Sequence, residues 1–471
     1  MEAWFSACSI EHGRVSHQSD ALSRQRLIHE LDTPLDFRAL HRAQPDRYPF
    51  LLQSTAAGST LGQFDILFAF PGDTLTLSNL DELSGPGSAD GYDFLSALDT
   101  WWRQTRCDSV DSPLPYHGGW FLYLGYELAA QIEPSLRLQP DPILPTAFAV
   151  RCPAAFVRDH ENDRLLVISE DGDTDRLRLM LDDAAALSSK DTIARTSTRV
   201  DACEEDAEPF LTAVSQAKEY IAAGDIFQAN LSRRWSADLD GSVSVDDVYA
   251  RLCEANPAPF AGIARWNNVA IISSSPERLV TVRDRHVSTR PIAGTRPRGD
   301  SMSSDDALSD ELFAHPKELA EHVMLIDLER NDLGRVCESG SVLVDEYMVL
   351  ESYAHVHHIV SNVRGTLKKN LGPTDAIRAV FPGGTITGCP KVRCMEIISE
   401  LERSPRGAYT GSIGYLNRDG SLDLNILIRT MVMSSNHIEL KAGSGIVADS
   451  DPVAELEETR AKAKGLLMAL K

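Results

Sequence analysis

The stretch AYTGSIGYLNRDGSLDLNILIRTMVMSSNHIELKAGSGIVADSDPVAELEETRAKAKGLL (408–467) decides the fold class. It sets three strand-like runs back to back, at 408–416, 423–433 and 437–442, and then predicts a helix from about Pro452. Strands that follow one another without intervening helices pair as antiparallel neighbours, because a parallel pair needs a long crossover. Working outward, the same clustering recurs. IFQANLSRRW, VAIISSSPERLVTV and HVSTRPIAG read as strands, as do 342–350 and 355–365. FLTAVSQAKEYIAAGD ending at Gly224 and ELFAHPKELAEHVMLIDLERNDLGRV after Pro316 read as helices. Further out, the segment from Tyr48 (YPFLLQSTA), GQFDILFAFP (62–71), GGWFLYLGYEL (118–128), 143–157 and 164–169 read as strands of an antiparallel sheet. Strands in clusters with helices between them, without strict βαβ alternation, predict an α+β fold.

Between Asp159 and Glu208 the character changes: 15 acidic residues stand against 6 Lys and Arg. A surface helix (DRLRLMLDDAAALSS) followed by a linker accounts for that stretch. The expected organisation is an arm at 1–34, an α+β subdomain at 35–187, a linker at 188–206 and a catalytic unit at 207–471.

The 471 residues carry 46 Lys and Arg against 69 Asp and Glu, a formal charge of 46 − 69 = −23. So acidic a surface repels phosphate backbones and argues against nucleic-acid binding. It does not exclude a small anion, since a local cluster of cations or a metal reverses the field inside a cleft. No run approaches the length of a transmembrane helix, and the first residues lack a basic start followed by an apolar core, so neither membrane insertion nor secretion is expected. The 8 cysteines are scattered and form no CxxC, which fits reduced thiols in a cytoplasm.

The last helix carries the densest chemistry. Glu455, Glu458, Thr459 and Lys462 fall on one stripe, with Ser450 as the expected N-cap and Pro452 in the first turn. Two carboxylates one turn apart can hold a hard cation such as Mg²⁺, and Lys462 can pair with an anion beside it. An exposed helix laced with i,i+4 pairs gives the same pattern. Glu321, bordering the apolar face of Leu325 and Leu328, is a second carboxylate for such a site. FPGGTITGCPKVRCMEII (381–398) and KAGSGIVADS (441–450) are either anion cradles or tight turns, and neither is a P-loop or a dinucleotide fingerprint. In HVHHIV (355–360), strand alternation separates His358 from His355 and His357, against a zinc site. No GxSxG or GxCxG marks a nucleophile elbow.

The strings SSSPERLV, RPIAGTRPRG, AEHVMLIDLERNDLGRV, HHIVSNVRG, FPGGTITGCPKVR, AYTGSIGY, IRT and AGSGIVADSDPVAELEET occur in this order. Together they resemble the chorismate-utilising enzymes, densely over 208–471 and more loosely over 48–160. The resemblance implies two packed antiparallel sheets flanked by helices, as in anthranilate synthase component I, with the site in a cleft of the C-terminal half. It implies Mg²⁺ on Glu321 and Glu458, with Glu455 nearby through water. Tyr409, Arg429, Lys462 and the amides around Gly443 and Gly445 are then the anchors of the substrate's enolpyruvyl carboxylate. Glu277 is the general acid for the departing 4-hydroxyl, and His358 and Thr385 lie beside the ring.

Within the family, water-adding members carry a lysine base where this chain has Gln228, as the ammonia-using members do. GQFDILFAFP and LLQS (51–54) resemble aminodeoxychorismate synthase component I, whereas Ala293 in PIAGT, in place of the lysine of PIKGT, is the form typical of anthranilate synthase component I. The implied reaction is amination of chorismate to 4-amino-4-deoxychorismate for p-aminobenzoate and folate; the alternative is anthranilate and pyruvate. With no GxCxG elbow in the chain, ammonia is expected from a separate glutamine amidotransferase subunit in a heterodimer.

Overall fold

The computed structural model describes residues 26–471 except 57–61, 109, 111, 188–199, 242, 299–304, 306, 307, 309, 313, 315 and 353–355. Most of the linker expected at 188–206, and His355, lie outside the described residues.

Two antiparallel sheets of 12 and 11 strands form the core among the described residues. The first runs, in spatial order, through the strands beginning at Leu27, Arg164, Ala154, Phe64, Phe50, Phe260, Val269, Thr430, His437, Gln228 and Cys203, with Gly388–Cys389 added beside Gln228. The second contains Ile292–Pro297, Val356–Thr366, His286–Thr289, Arg278–Arg283, Leu422–Asn425, Ser412–Asn417, Gly119–Leu124, Ala147–Cys152 and Thr74–Leu77 in that order, with Leu83–Ser84 at its end and Leu343–Ser352 beside Val356–Thr366. Phe50, Phe68, Phe121, Phe148, Ile271 and Ile413 pack in the layer between them. Helices Phe94–Thr105, Pro316–Val336 and Pro373–Val380 cover the outer face of the second sheet. Phe37–Ala43, Val245–Ala255 and Pro452–Ala469 cover the first. The fold is therefore the expected α+β sandwich flanked by helices.

Three apolar runs that read as single strands are each two strands in different sheets. Residues 143–157 divide at Pro153 into Ala147–Cys152 and Ala154–Asp159. The run 269–282 divides after Ser275, and 423–433 divides between Asn425 and Thr430. Continuous hydrophobicity hid the divisions, because a strand between packed layers is buried on both faces on either side of the crossing. The arm expected at 1–34 contributes a strand, Leu27–Leu31, which pairs with Arg164–Ser169 at the sheet edge. The last helix is capped by Asp451, not Ser450: Asp451 Oδ1 accepts the amides of Val453 at 3.0 Å and Ala454 at 2.9 Å. Ser450 is buried and accepts the Val447 amide instead.

Candidate active site at two sheet crossings

The site is built where the chain passes from one sheet to the other. At Pro276–Glu277 it leaves the first sheet, and at Ile426–Arg429 it returns. The crossings are tied together: Ile426 donates its amide to Glu277 O at 3.0 Å, and Ser274 donates to Arg429 O at 3.1 Å. The Ser275 hydroxyl donates to Ile426 O at 2.5 Å. Arg429 adopts a left-handed φ of 53°, unusual for a long side chain. Backbone of that kind persists where the surroundings impose it, commonly beside functional groups.

Glu277 is buried, and burial first of all pushes its carboxyl up to about 7. The Thr385 hydroxyl donates to Glu277 Oε1 at 2.8 Å and opposes that shift by favouring the charged form. A carboxyl in this state holds a proton near neutrality and can give it away, as a general acid must. Thr385 stands in a single 3₁₀ turn, Gly384–Ile386, packed against Leu328. The turn is held from the other side by Arg406, a buried guanidinium paired with Glu402 at 2.6 Å. Arg406 also donates to Ile386 O at 3.1 Å and to Asn230 O at 2.6 Å, joining the turn to the Gln228–Asp238 strand.

His358 is buried opposite Thr295, and burial, then the nearby Arg429 charge, pushes its imidazole down to about 4. It is therefore neutral at physiological pH. Arg429 is half-buried and faces Tyr409, Glu458 and Glu277. Tyr409 is buried, with its hydroxyl pushed up to about 12 chiefly by burial. Gly443 and Gly445 lie opposite Ser232 and Asn230. Their φ values are not left-handed; their role is space. A Cβ on Gly443 would sit 2.6 Å from both Tyr409 Oη and Leu231 O, and one on Gly445 would sit 2.6 Å from Gln228 Nε2. Gln228 Oε1 and Asn230 Oδ1 are buried without a hydrogen-bond partner among the described residues. A polar floor of this sort is costly unless something else binds it.

Lys462 Nζ pairs with Glu458 Oε1 at 2.6 Å and donates to Gly443 O at 3.0 Å. Glu455, one turn before Glu458, is buried with Oε2 unpartnered among the described residues. A carboxylate oxygen left bare in that way fits a hard cation and its waters. Glu321 is half-buried on Pro316–Val336. No group of three or more His, Cys, Asp or Glu is preassembled for a metal among the described residues. Glu455, Glu458 and Lys462 all stand on the helix Pro452–Ala469.

Sequence reasoning missed Glu329 and Asp332. Both are buried on Pro316–Val336, in the charged run DLERND of that helix. Asp332 forms an ion pair with Lys391, which also donates to Val380 O at 2.9 Å. The available signal was phase: 329 and 332 fall in step with buried Leu325, Leu328 and Val336.

A further cavity of about 280 Å³ opens between the sheets, lined by Gln53, Phe64, Phe260, Arg278, Tyr415 and Asp423 among others. None of the site residues named above lines it.

The chain is similar to known proteins over most of its length. The chain is 45% identical over 367 residues to an anthranilate synthase component I-like protein of Synechocystis sp., covering 77% of this chain and 74% of the relative. It is 40% identical over 389 residues to aminodeoxychorismate synthase component 1 of Bacillus subtilis, covering 80% and 82%. The crystal structure of anthranilate synthase component I from Streptococcus pneumoniae superposes with a TM-score of 0.78 at 33% identity, covering 87% of this chain and 93% of that one. The family described as chorismate binding enzyme matches residues 48–468, most of the chain, and the chain belongs to that family of enzymes.

Proposed function

We propose that the chain aminates chorismate to 4-amino-4-deoxychorismate, using ammonia from a glutamine amidotransferase subunit bound as a heterodimer. The observation that carries the reading is Glu277, a buried carboxyl that holds its proton near neutrality and is aimed by Thr385. Hydroxide is a poor leaving group, so the C4–O bond breaks usefully only if its oxygen takes a proton as it leaves. Ammonia supplies the electron pair for the new C–N bond, Glu277 protonates the departing 4-hydroxyl, and water leaves. The ammonium so formed returns a proton to the Glu277 carboxylate.

Arg429, Tyr409 and Lys462, with the strand at Gly443 and Gly445, bind the enolpyruvyl carboxylate in this reading. The small residues let the substrate approach the backbone closely. Neutral His358 lines the ring without competing for the acid's proton. Glu321 and Glu458, with Glu455 through water, would hold Mg²⁺, which when bound neutralises the ring carboxylate. The bare, buried Glu455 Oε2 supports that assignment.

Amination over hydration is supported by Gln228, an uncharged amide at the head of its strand that cannot deprotonate water. The aminodeoxychorismate branch is supported in the N-terminal half. Gln53 of LLQS donates to Asp65 of QFD at 3.3 Å, so two marks of that branch form one contact. A glutamate at 53 would set two carboxylates against each other there. Anthranilate synthase is the second reading, favoured by Ala293, whose methyl group offers no nucleophile.

The test supplies the purified chain with chorismate, Mg²⁺ and excess ammonium at mildly alkaline pH and identifies the product by mass. Aminodeoxychorismate is expected; anthranilate with pyruvate overturns the proposal. Glu277→Gln is expected to lower kcat by about 10²–10⁴-fold, the usual worth of a general acid.

A further inference from the structure

A second buried carboxyl stands behind the acid. Glu329 is 6% exposed on the helix Pro316–Val336, and the turn at 383–387 separates it from Glu277. A Cβ on Gly384 would sit 3.2 Å from Glu329 Oε1. The very next residue, Thr385, donates to Glu277 Oε1 at 2.8 Å. Neighbouring residues of one tight turn therefore touch the two carboxyls. Among the described residues neither carboxyl forms an ion pair, and Lys391, the cation facing Glu329, is itself paired with Asp332.

We infer that Glu329 is a positioning residue for the proton of Glu277: the two carboxyls form a buried pair across the 383–387 turn, and the pair retains one proton at neutral pH. The inference rests on the reading of Glu277 as general acid. The charged surroundings explain why such a partner is needed. Glu277 faces Lys462 from the last helix and Arg429 from the second crossing, and both cations favour its ionised form. Glu329 is the anion that opposes them. On its own side Glu329 faces Asp332, Lys391, the Thr289 side chain and the Gly384 amide. Burial first pushes both carboxyls up to about 7, and the anion that adds to it is Glu329 for Glu277 and Asp332 for Glu329. Two carboxyls that interact across a dry gap lose their protons in two steps, and the second step is the one deferred to higher pH.

The test uses Glu329→Gln, which keeps shape and removes charge, beside Glu329→Asp, which keeps charge. Two quantities are read: the alkaline limb of kcat/KM for chorismate against pH, and the pH midpoint of the protonated-carboxyl infrared band in the substrate-free chain. Glu277→Gln identifies the band by removing it. In Glu329→Gln both the limb and the midpoint are expected to move to lower pH by about 0.5–1 unit, the size expected for loss of one nearby like charge. Glu329→Asp is expected to keep them near the wild-type values. An unmoved midpoint in folded Glu329→Gln overturns the inference, even if turnover falls. Near-wild-type turnover in Glu277→Gln instead overturns the general-acid reading beneath it.

Discussion

At the scale of single residues, the site works by setting protonation states apart. Burial raises the Glu277 carboxyl to about 7 and lowers the His358 imidazole to about 4, each chiefly by disfavouring charge, although one is an acid and the other a base. Thr385 acts against the trend, because its hydroxyl donates to the carboxylate and steadies the charge. Removing that donor should therefore raise the Glu277 pKa further above about 7. In Thr385→Val the alkaline limb of kcat/KM should move to higher pH, while kcat falls because the acid is no longer aimed. A limb that stays in place or moves down would show that the hydroxyl does not govern the acid. Glu277, Thr385 and His358 were legible only through the family strings around them, since a lone buried Glu or His has no signature of its own. Glu329 was not legible at all, because its charge lies in a run of charges, and only its phase with Leu325 and Leu328 betrays burial.

At the scale of elements, the strands were largely legible and their partition between sheets was not. Alternation and apolar runs locate strands, but nothing in VAIISSSPERLVTV says that Ser275 and Arg278 belong to different layers. The proline at 276 is a sign after the fact, as is Pro153 where Ala147–Cys152 passes to Ala154–Asp159. Helix ends were legible where caps are strong, as at Gly224, whose left-handed φ of 82° closes Ala207–Ala223. The helix Val245–Ala255 was passed over despite its Ser244–Asp247 capping box. At the last helix two acceptable caps stand side by side, and the structure uses Asp451. Asp451→Ala leaves two first-turn amides unsatisfied and should destabilise the chain by about 0.5–2 kcal/mol. The measurement is a urea midpoint, expected to fall with an unchanged slope. An unmoved midpoint would mean that Ser450 or water takes over the cap.

At the scale of the whole molecule, the charge of −23 and the site run against each other. Glu277, Glu329, Asp332 and Glu455 are buried acids, and Arg429, Lys462 and the buried Arg406 are cations placed against acids in the same half of the chain. What keeps that cleft in register is the continuity of both sheets across the N-terminal and C-terminal parts of the chain. Phe50–Gln53 pairs with Phe260–Trp266, and Gly119–Leu124 pairs with Ser412–Asn417. The layer between the sheets joins the two parts as well: Phe148 stacks on Trp266 at 4.1 Å, and Tyr116 meets Tyr415 edge-on at 5.7 Å. A fragment of residues 207–471 holds every proposed site residue but would expose one edge of each half-sheet and the apolar faces, Trp266 and Tyr415 among them, that pack on the N-terminal aromatics. Exposed flat edges and apolar faces of that extent favour aggregation over folding. The fragment alone should therefore show no cooperative thermal transition and no chorismate turnover. Produced together with residues 1–187, it should recover both. A 207–471 fragment that unfolds cooperatively by itself would show that the catalytic half is an independent domain, with the N-terminal strands an addition to it.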